Sequence, residues 1–433
     1  MNGKPFLIRI ILLILMLVFF ATPGTQAFAH APMRGNVAVE STEIDRATYV
    51  DGGQFRNEPS SVKQVRIGLC YGEGAVDEAR FTNRNGQGFA IGSYDAERVF
   101  QEQTRTDAHS IQVAFLANGK HVQLSVVSAI DQEIVYRASR QTDSLAILPL
   151  GDNRDGCWFL GEAYRGGFEC VLDHGYLIRV INCLELEDYV RGVVPYEMSP
   201  DWPREALRAQ AVCARTYVVY NQNLYEEYGF DLTDDTESQV YRGLLGADAT
   251  TDQAVMDTEG QYVRYQGEIC DIYYFASDGG ASEDGKNVFG WDRPYLLGKV
   301  DPFERAVDYS FSEWEEWLTG ENISWLLRGR GYELAEVLRV EPEYSALGNA
   351  IAVNLYDVLG QHLRITGKEA YTYLHLNNCR YTVQRAGDYF WFQGSGWGHN
   401  CGMSQWGARA MAQVYGYDYQ DIIRFYFTGA YVA

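Results

Sequence analysis

From Leu186 to Pro200 the chain reads Leu-Glu-Asp-Tyr-Val-Arg-Gly-Val-Val-Pro-Tyr-Glu-Met-Ser-Pro, and no other run limits the fold as much. Tyr189, Val190 and Val193 fall on one face of a short helix from Leu186 to Val194. Pro195 is predicted to stop that helix, because a proline disfavours helix at the residue before it. A second helix is predicted to start near Pro203, a good first-turn residue, with Asp201 close to the N-cap. Its apolar stripe is Leu207, Ala211, Ala214 and Val218, and it is predicted to run to Tyr228, where Gly229 ends it. Glu197 is left in an apolar turn bounded by prolines. A carboxyl group there is easily desolvated, which raises its proton affinity towards neutral pH. Such a glutamate can serve as a general acid. The plainer reading is a loop glutamate that caps the next helix or pairs with Arg191 or Arg204.

The rest of the chain reads as α+β. From Val62 to about Leu150 the text is strand-like, with alternation in Val65-Arg-Ile67-Gly-Leu69, Ile111-Gln-Val113-Ala-Phe115 and Val122-Gln-Leu124-Ser-Val126. Gly72-Glu-Gly74 and Asn85-Gly86 supply turns. The expected organisation is a polar linker over 30–60, a small β-rich domain over 61–150 and a larger catalytic domain over 155–433. Ile269 to Ala276 is predicted as a buried strand, 310–330 as helix and 335–395 as strands. Two helices are predicted near the end, Ser404 to Val414 and Tyr419 to Phe427.

Residues 1–29 carry a secretory pattern: basic Lys4 and Arg9, an apolar stretch from Ile10 to Phe20, and the small-x-small Ala27-Phe-Ala29. The segment serves as a cleaved signal or a retained anchor, and either places the body outside the cytoplasm, secreted or membrane-anchored. With 433 residues and a net charge of -22, the chain can bury a large core but repels phosphate backbones, so no nucleic-acid partner is expected. Eight cysteines in an exported chain permit disulfides, yet they are too few for the fold to need them. Aromatic residues make up 14% of the chain, and such rings serve either a β-rich core or the stacking of sugars.

Several other residues could carry chemistry. Arg215, embedded in Val-Cys-Ala-Arg-Thr-Tyr, needs a partner and could orient a carboxylate or grip a substrate oxygen. Gln210 lies on the same helix, on a different face. Ser277-Asp-Gly-Gly280 follows the buried strand, and Gly279 and Gly280 would let a ligand approach the backbone closely. Gly394-Ser-Gly-Trp-Gly-His399-Asn-Cys-Gly-Met-Ser-Gln405-Trp-Gly-Ala surrounds two tryptophans, a histidine and a glutamine with five glycines. That composition suits a tightly bent loop presenting Trp397, His399 and Gln405 to a sugar. No GxGxxG, GK[ST] or G-x-S-x-G pattern occurs there, so no nucleotide cofactor or serine nucleophile is indicated. His399 and Cys401, with Cys270 or Cys379, make only a weak zinc pattern, and no metal or other cofactor is assigned.

Together these segments resemble the family of stage II sporulation protein D and the amidase enhancer LytB. The likeness spans roughly Leu177 to the C-terminus. Glu187-Asp-Tyr-Val-Arg-Gly-Val-Val-Pro-Tyr-Glu-Met is similar to the family's LEEYLxGVVxxEM, Glu205 to Tyr217 to its EALKAQAVAARTY, and Gly396 to Ala408 to its GWGHGVGMSQWGA. Two departures stand out: Ala276-Ser-Asp-Gly-Gly280 replaces STSGG, and Asn400-Cys401 replaces Gly-Val. The resemblance implies a lytic transglycosylase acting on peptidoglycan glycan strands stripped of stem peptides. Glu197 would be its catalytic residue, with Gln210, Arg215, Ser277, Gly279, Gly280, Trp397, His399 and Gln405 around the substrate. It also implies a role in engulfment beside a cell-wall amidase and membrane partners. The LytB name implies a different role, a non-catalytic activator that binds such an amidase.

Overall fold

The computed structural model describes residues 62–118, 121–139, 144–152, 155–309 and 312–433. The expected signal segment over 1–29 and linker over 30–60 lie outside these. No helix among the described residues is long and apolar enough to cross a membrane.

Strands and helices are both present, in an α+β arrangement. A seven-stranded sheet runs, edge to edge, through Leu232–Thr233, Gln64–Cys70, Ile178–Glu185, Gly167–Leu172, Ser144–Pro149, Phe89–Tyr94 and Phe100–Thr106. A six-stranded antiparallel sheet holds Glu162–Tyr164, Cys157–Phe159, Glu78–Asn83, Ser110–Asn118, His121–Ser128 and Ile134–Arg137. The alternation read in the sequence is the pleat of these strands: Val65 and Ile67, or Ile111 and Val113, point into one shared core.

The boundary expected between 150 and 155 falls inside both sheets and is corrected here. Gln64–Cys70 pairs with Ile178–Glu185 from Gln64 opposite Glu185 to Cys70 opposite Val180. Phe81, Ile147, Phe168, Val190 and Leu207 belong to one apolar cluster. The β-rich segment is therefore the wall against which the helices pack, because its pairing edge and apolar face are completed by later residues.

Among the described residues eight α-helices follow: α1 Leu186–Glu197, α2 Arg204–Tyr220, α3 Ala249–Asp257, α4 Gly285–Phe289, α5 Gly320–Arg328, α6 Gly367–Tyr373, α7 Gln405–Tyr415 and α8 Tyr419–Tyr426. Helix α1 does not stop at Val194. It continues through Pro195 and ends at Glu197, with the Met198 N–H bonded to the Val194 carbonyl at 2.9 Å. A proline so close to the end forfeits one helical bond only, and burial of Val193, Val194 and Pro195 offsets that loss. Gly192 lets α1 approach its neighbour: a Cβ there would lie 2.4 Å from the Tyr241 ring. The stripe expected on α2 is wholly buried. The helix ends eight residues earlier than expected, where the Asn221 side chain bonds the Tyr217 carbonyl at 2.9 Å. Gly229 ends a separate short turn, Glu226–Tyr228.

Residues 312–395 build a second core around Trp314, Ile323, Val353, Phe390 and Phe392. Within it 313–319 is a strand rather than helix, because Glu313–Thr319 pairs with Tyr389–Ser395 along its length. The apolar run 269–276 is likewise not one strand. Glu268–Ile269 pairs with Val263–Tyr265, whereas Tyr274–Phe275 pairs with Met403–Ser404.

Candidate active site

Three chain segments far apart in sequence meet at Glu197. Helix α1 delivers it as its last residue. Tyr274 lies opposite Met403, and Phe275 opposite Ser404, in a two-stranded parallel ribbon. Gln405 follows directly as the first residue of α7, whose N-cap Ser404 accepts the Gly407 N–H at 3.1 Å. The ribbon is held tight by Gly402, at φ 88°, where a Cβ would lie 2.1 Å from the Tyr273 carbonyl oxygen.

The Glu197 side chain is partly exposed and its carboxyl is hemmed in by neutral groups. Gln405 Nε2 donates to Oε2 at 2.9 Å, and Tyr274 OH lies 3.4 Å from Oε1. The same Gln405 amide donates to Gln210 Oε1 at 3.4 Å, so Gln210 steers the amide that touches the acid. Neither arginine of the plainer reading reaches Glu197. Arg191 pairs with Asp188 at 2.8 Å, and Arg204 pairs with Asp257. Burial pushes the Glu197 carboxyl up to about 7, against the downward pull of Gln405, Tyr274 and the Val240 backbone N–H. Desolvation wins because none of these donors carries a charge.

Not every expected residue joins this cluster. Arg215 is fully buried and bidentate to Glu187, at 2.7 Å to each oxygen, with further bonds to the carbonyls of Ala211, Val255 and Gln261. It ties α2 to α1 and has no face left for a ligand, which corrects the substrate-binding role expected of it. Ser277 is corrected for the same reason: its hydroxyl is buried between Glu304 and Tyr309. His399 donates from Nε2 to the Tyr274 carbonyl at 3.0 Å and accepts the Cys401 N–H on Nδ1 at 3.2 Å. Both ring nitrogens are thereby engaged by backbone, and His399 shapes the ribbon. Trp397 is 38% exposed, and its backbone bridges Ser277. Gly279 and Gly280 line a groove of about 840 Å³ with Glu304, Arg305, Tyr309 and Ser395. Tyr309 stacks on Trp406, the residue after Gln405, with ring centroids 4.6 Å apart.

Beneath that groove the carboxylates of Asp278, Asp301 and Glu304 are buried, with oxygens within 4.8 Å of one another. They are the one such group among the described residues that could hold a cation. Protein donors already occupy most of their lone pairs. Ser277, Tyr309, Ser404 and the Asp278 N–H bond Glu304, while Tyr426 and two backbone N–H groups bond Asp301. Burial, with the charges of Glu304 and Asp301 beside it, drives the Asp278 carboxyl far above its ordinary range, and burial raises Glu304 too. A proton held on Asp278 removes one of the three negative charges from the group.

Tyr274 and Gln239 were not legible as site residues. A tyrosine in Asp-Ile-Tyr-Tyr-Phe-Ala reads as core, and Gln239 sits in a polar connection with no periodicity. The departure at Asn400 has a local account. Its φ is 69°, a left-handed backbone where asparagine is the usual stand-in for glycine, and its amide donates to the Ala281 carbonyl at 3.1 Å.

The family model of stage II sporulation proteins matches residues 175–265, which include Glu197, Gln210 and Gln239. An uncharacterized protein of Brachyspira hyodysenteriae is 31% identical over 340 residues, 74% of this chain and 88% of its own length. This chain belongs to the stage II sporulation protein D family. Within that family, stage II sporulation protein D of Bacillus subtilis is 28% identical over 58% of this chain and 76% of its own length. The amidase enhancer of Bacillus subtilis is 25% identical over 55% of this chain, which spans only 39% of that relative.

Proposed function

We propose that this protein is a lytic transglycosylase of peptidoglycan and that Glu197 is both its acid and its base. The supporting observation is a carboxyl raised to about 7 by burial, with no cation paired to it among the described residues, at the meeting point of α1 and α7. Protonated Glu197 gives its proton to the glycosidic oxygen between N-acetylmuramic acid and N-acetylglucosamine, and the C1–O bond breaks. The C6 hydroxyl oxygen of the same muramic residue attacks C1, and its proton passes to the Glu197 carboxylate. A 1,6-anhydro ring closes and the acid is regenerated. No water is activated, so the second carboxylate that hydrolysing enzymes use is not required. Gln405 serves both charge states, since its N–H bonds Oε2 whether or not Oε1 carries a proton. The wall strand lies outside the membrane, which fits the exported reading of residues 1–29.

The experiment is mass spectrometry of peptide-stripped glycan after incubation with the purified protein. Anhydro-muramic ends are expected from the protein alone, and reducing ends would assign a hydrolase instead. The amidase-enhancer relative favours a second reading, a wall-binding activator of an amidase. That reading gains if peptide-stripped glycan stays whole while an added amidase is accelerated.

A further inference from the structure

We propose, resting on the reading of Glu197 as acid and base, that Tyr274 and Gln239 form a hydrogen-bond switch that follows the charge of Glu197 through the reaction. The Tyr274 phenol has one hydrogen and two acceptors facing it. Gln239 Oε1 lies at 2.7 Å and Glu197 Oε1 at 3.4 Å. At those distances the hydrogen belongs to Gln239, and the phenol oxygen turns a lone pair to Glu197. A protonated Glu197 then donates its O–H to Tyr274, so Glu197 Oε1, the phenol and Gln239 Oε1 are each hydrogen-bonded. Gln239 is itself buried and held from behind, its Nε2 donating to Tyr189 OH at 3.4 Å.

When Glu197 gives up its proton, the preference reverses. A carboxylate is a stronger acceptor than an amide carbonyl, so the phenol O–H rotates from Gln239 onto Glu197 Oε1. No proton changes owner in that step; only the O–H direction turns. The Gln239 carbonyl is left without its donor in a buried place, which is costly. That cost is relieved when Glu197 takes the proton of the C6 hydroxyl and Tyr274 turns back. Tyr274 is thus a positioning residue acting through Glu197, and Gln239 sets its resting state. The titratable groups facing the carboxyl are the phenols of Tyr274 and Tyr189, on the ribbon and on α1. Gln405 on α7, with Gln210 of α2 behind it, and the Val240 N–H are neutral.

The test reads the Glu197 titration directly, by carbon-13 NMR of the side-chain carboxyls in the full chain, with Glu197→Gln used to assign the signal. Tyr274→Phe removes the donor that steadies the carboxylate, so the midpoint rises. Gln239→Met removes the competing acceptor, so the phenol hydrogen is free for the carboxylate and the midpoint falls. Each shift is expected at about one pH unit, a tenfold change in proton affinity. Opposite signs support the switch; shifts of one sign, or none, overturn it, because a packing role cannot split the two. Replacing Tyr274 with 3-fluorotyrosine keeps the shape and strengthens the donor, so the midpoint must fall there too even if a variant folds poorly. The titration is read without substrate, so its failure is separate from a failure to cleave glycan.

Discussion

Glu197 turns its own burial into a dependence on pH. The carboxyl is held at about 7 against an ordinary 4.5. The native state therefore binds this proton more tightly than the unfolded chain. The contribution to stability is complete below about 4.5 and is lost as pH rises through about 7. From 4.5 to about 7 the loss is at most about 3 kcal/mol. Glu197→Gln cannot titrate, so its melting temperature should gain on that of the native protein between pH 4 and pH 8; equal differences at both would contradict the raised value. The raised proton affinity of Glu197 was legible at this scale, because an apolar segment near prolines desolvates whatever carboxyl it holds. Arg215 was misread at the same scale. Nothing in Ala-Val-Cys-Ala-Arg-Thr-Tyr shows that Glu187, 28 residues earlier, closes a fork around it. Since that pair is structural, Arg215→Ala should cost about 3 kcal/mol in urea unfolding. The folded fraction should keep its KM for glycan.

Among the elements, α1 and α7 set the geometry, and each depends on a glycine at a close approach. A Cβ on Gly192 would meet Tyr241, and one on Gly407 would lie 1.8 Å from Tyr426 OH and 2.3 Å from Asp301 Oδ2. Gly192→Ala and Gly407→Ala are each expected to destabilise by about 1–3 kcal/mol through overpacking, read as a lower unfolding midpoint. Gly407→Ala should also separate Tyr426 from Asp301 and displace Gln405, so it loses more activity than its stability loss accounts for. Helix starts and cores were legible from apolar spacing, as with Leu207 to Val218. The ends were not. Pro195 was read as a stop, but a buried last turn outweighed one missing bond; Asn221, not Gly229, capped α2. Residues 269–276 divided because two different partners, Val263–Tyr265 and Met403–Ser404, compete for one apolar run.

For the whole molecule, the segment before residue 150 is part of the fold and not an appendage. Its strand Gln64–Cys70 lies between Leu232–Thr233 and Ile178–Glu185, and the latter leads straight into α1. A chain lacking 62–150 is expected to be insoluble or to show no dispersed amide spectrum; a well-dispersed spectrum would restore the two-domain reading. The α+β class was legible from alternation followed by helical stripes, but the shared sheet was not, since pairing across more than 100 residues leaves no local pattern. The site sits where that sheet, by way of α1, meets the ribbon and α7. The most direct measurement of the account is kcat/KM on peptide-stripped glycan across pH, for the native protein and Glu197→Gln. The native rate is predicted to fall on the alkaline side through about 7, and the variant to lie at least about 100-fold lower with no such fall. A variant as fast as the native protein, or a native rate unchanged up to pH 9, would contradict it.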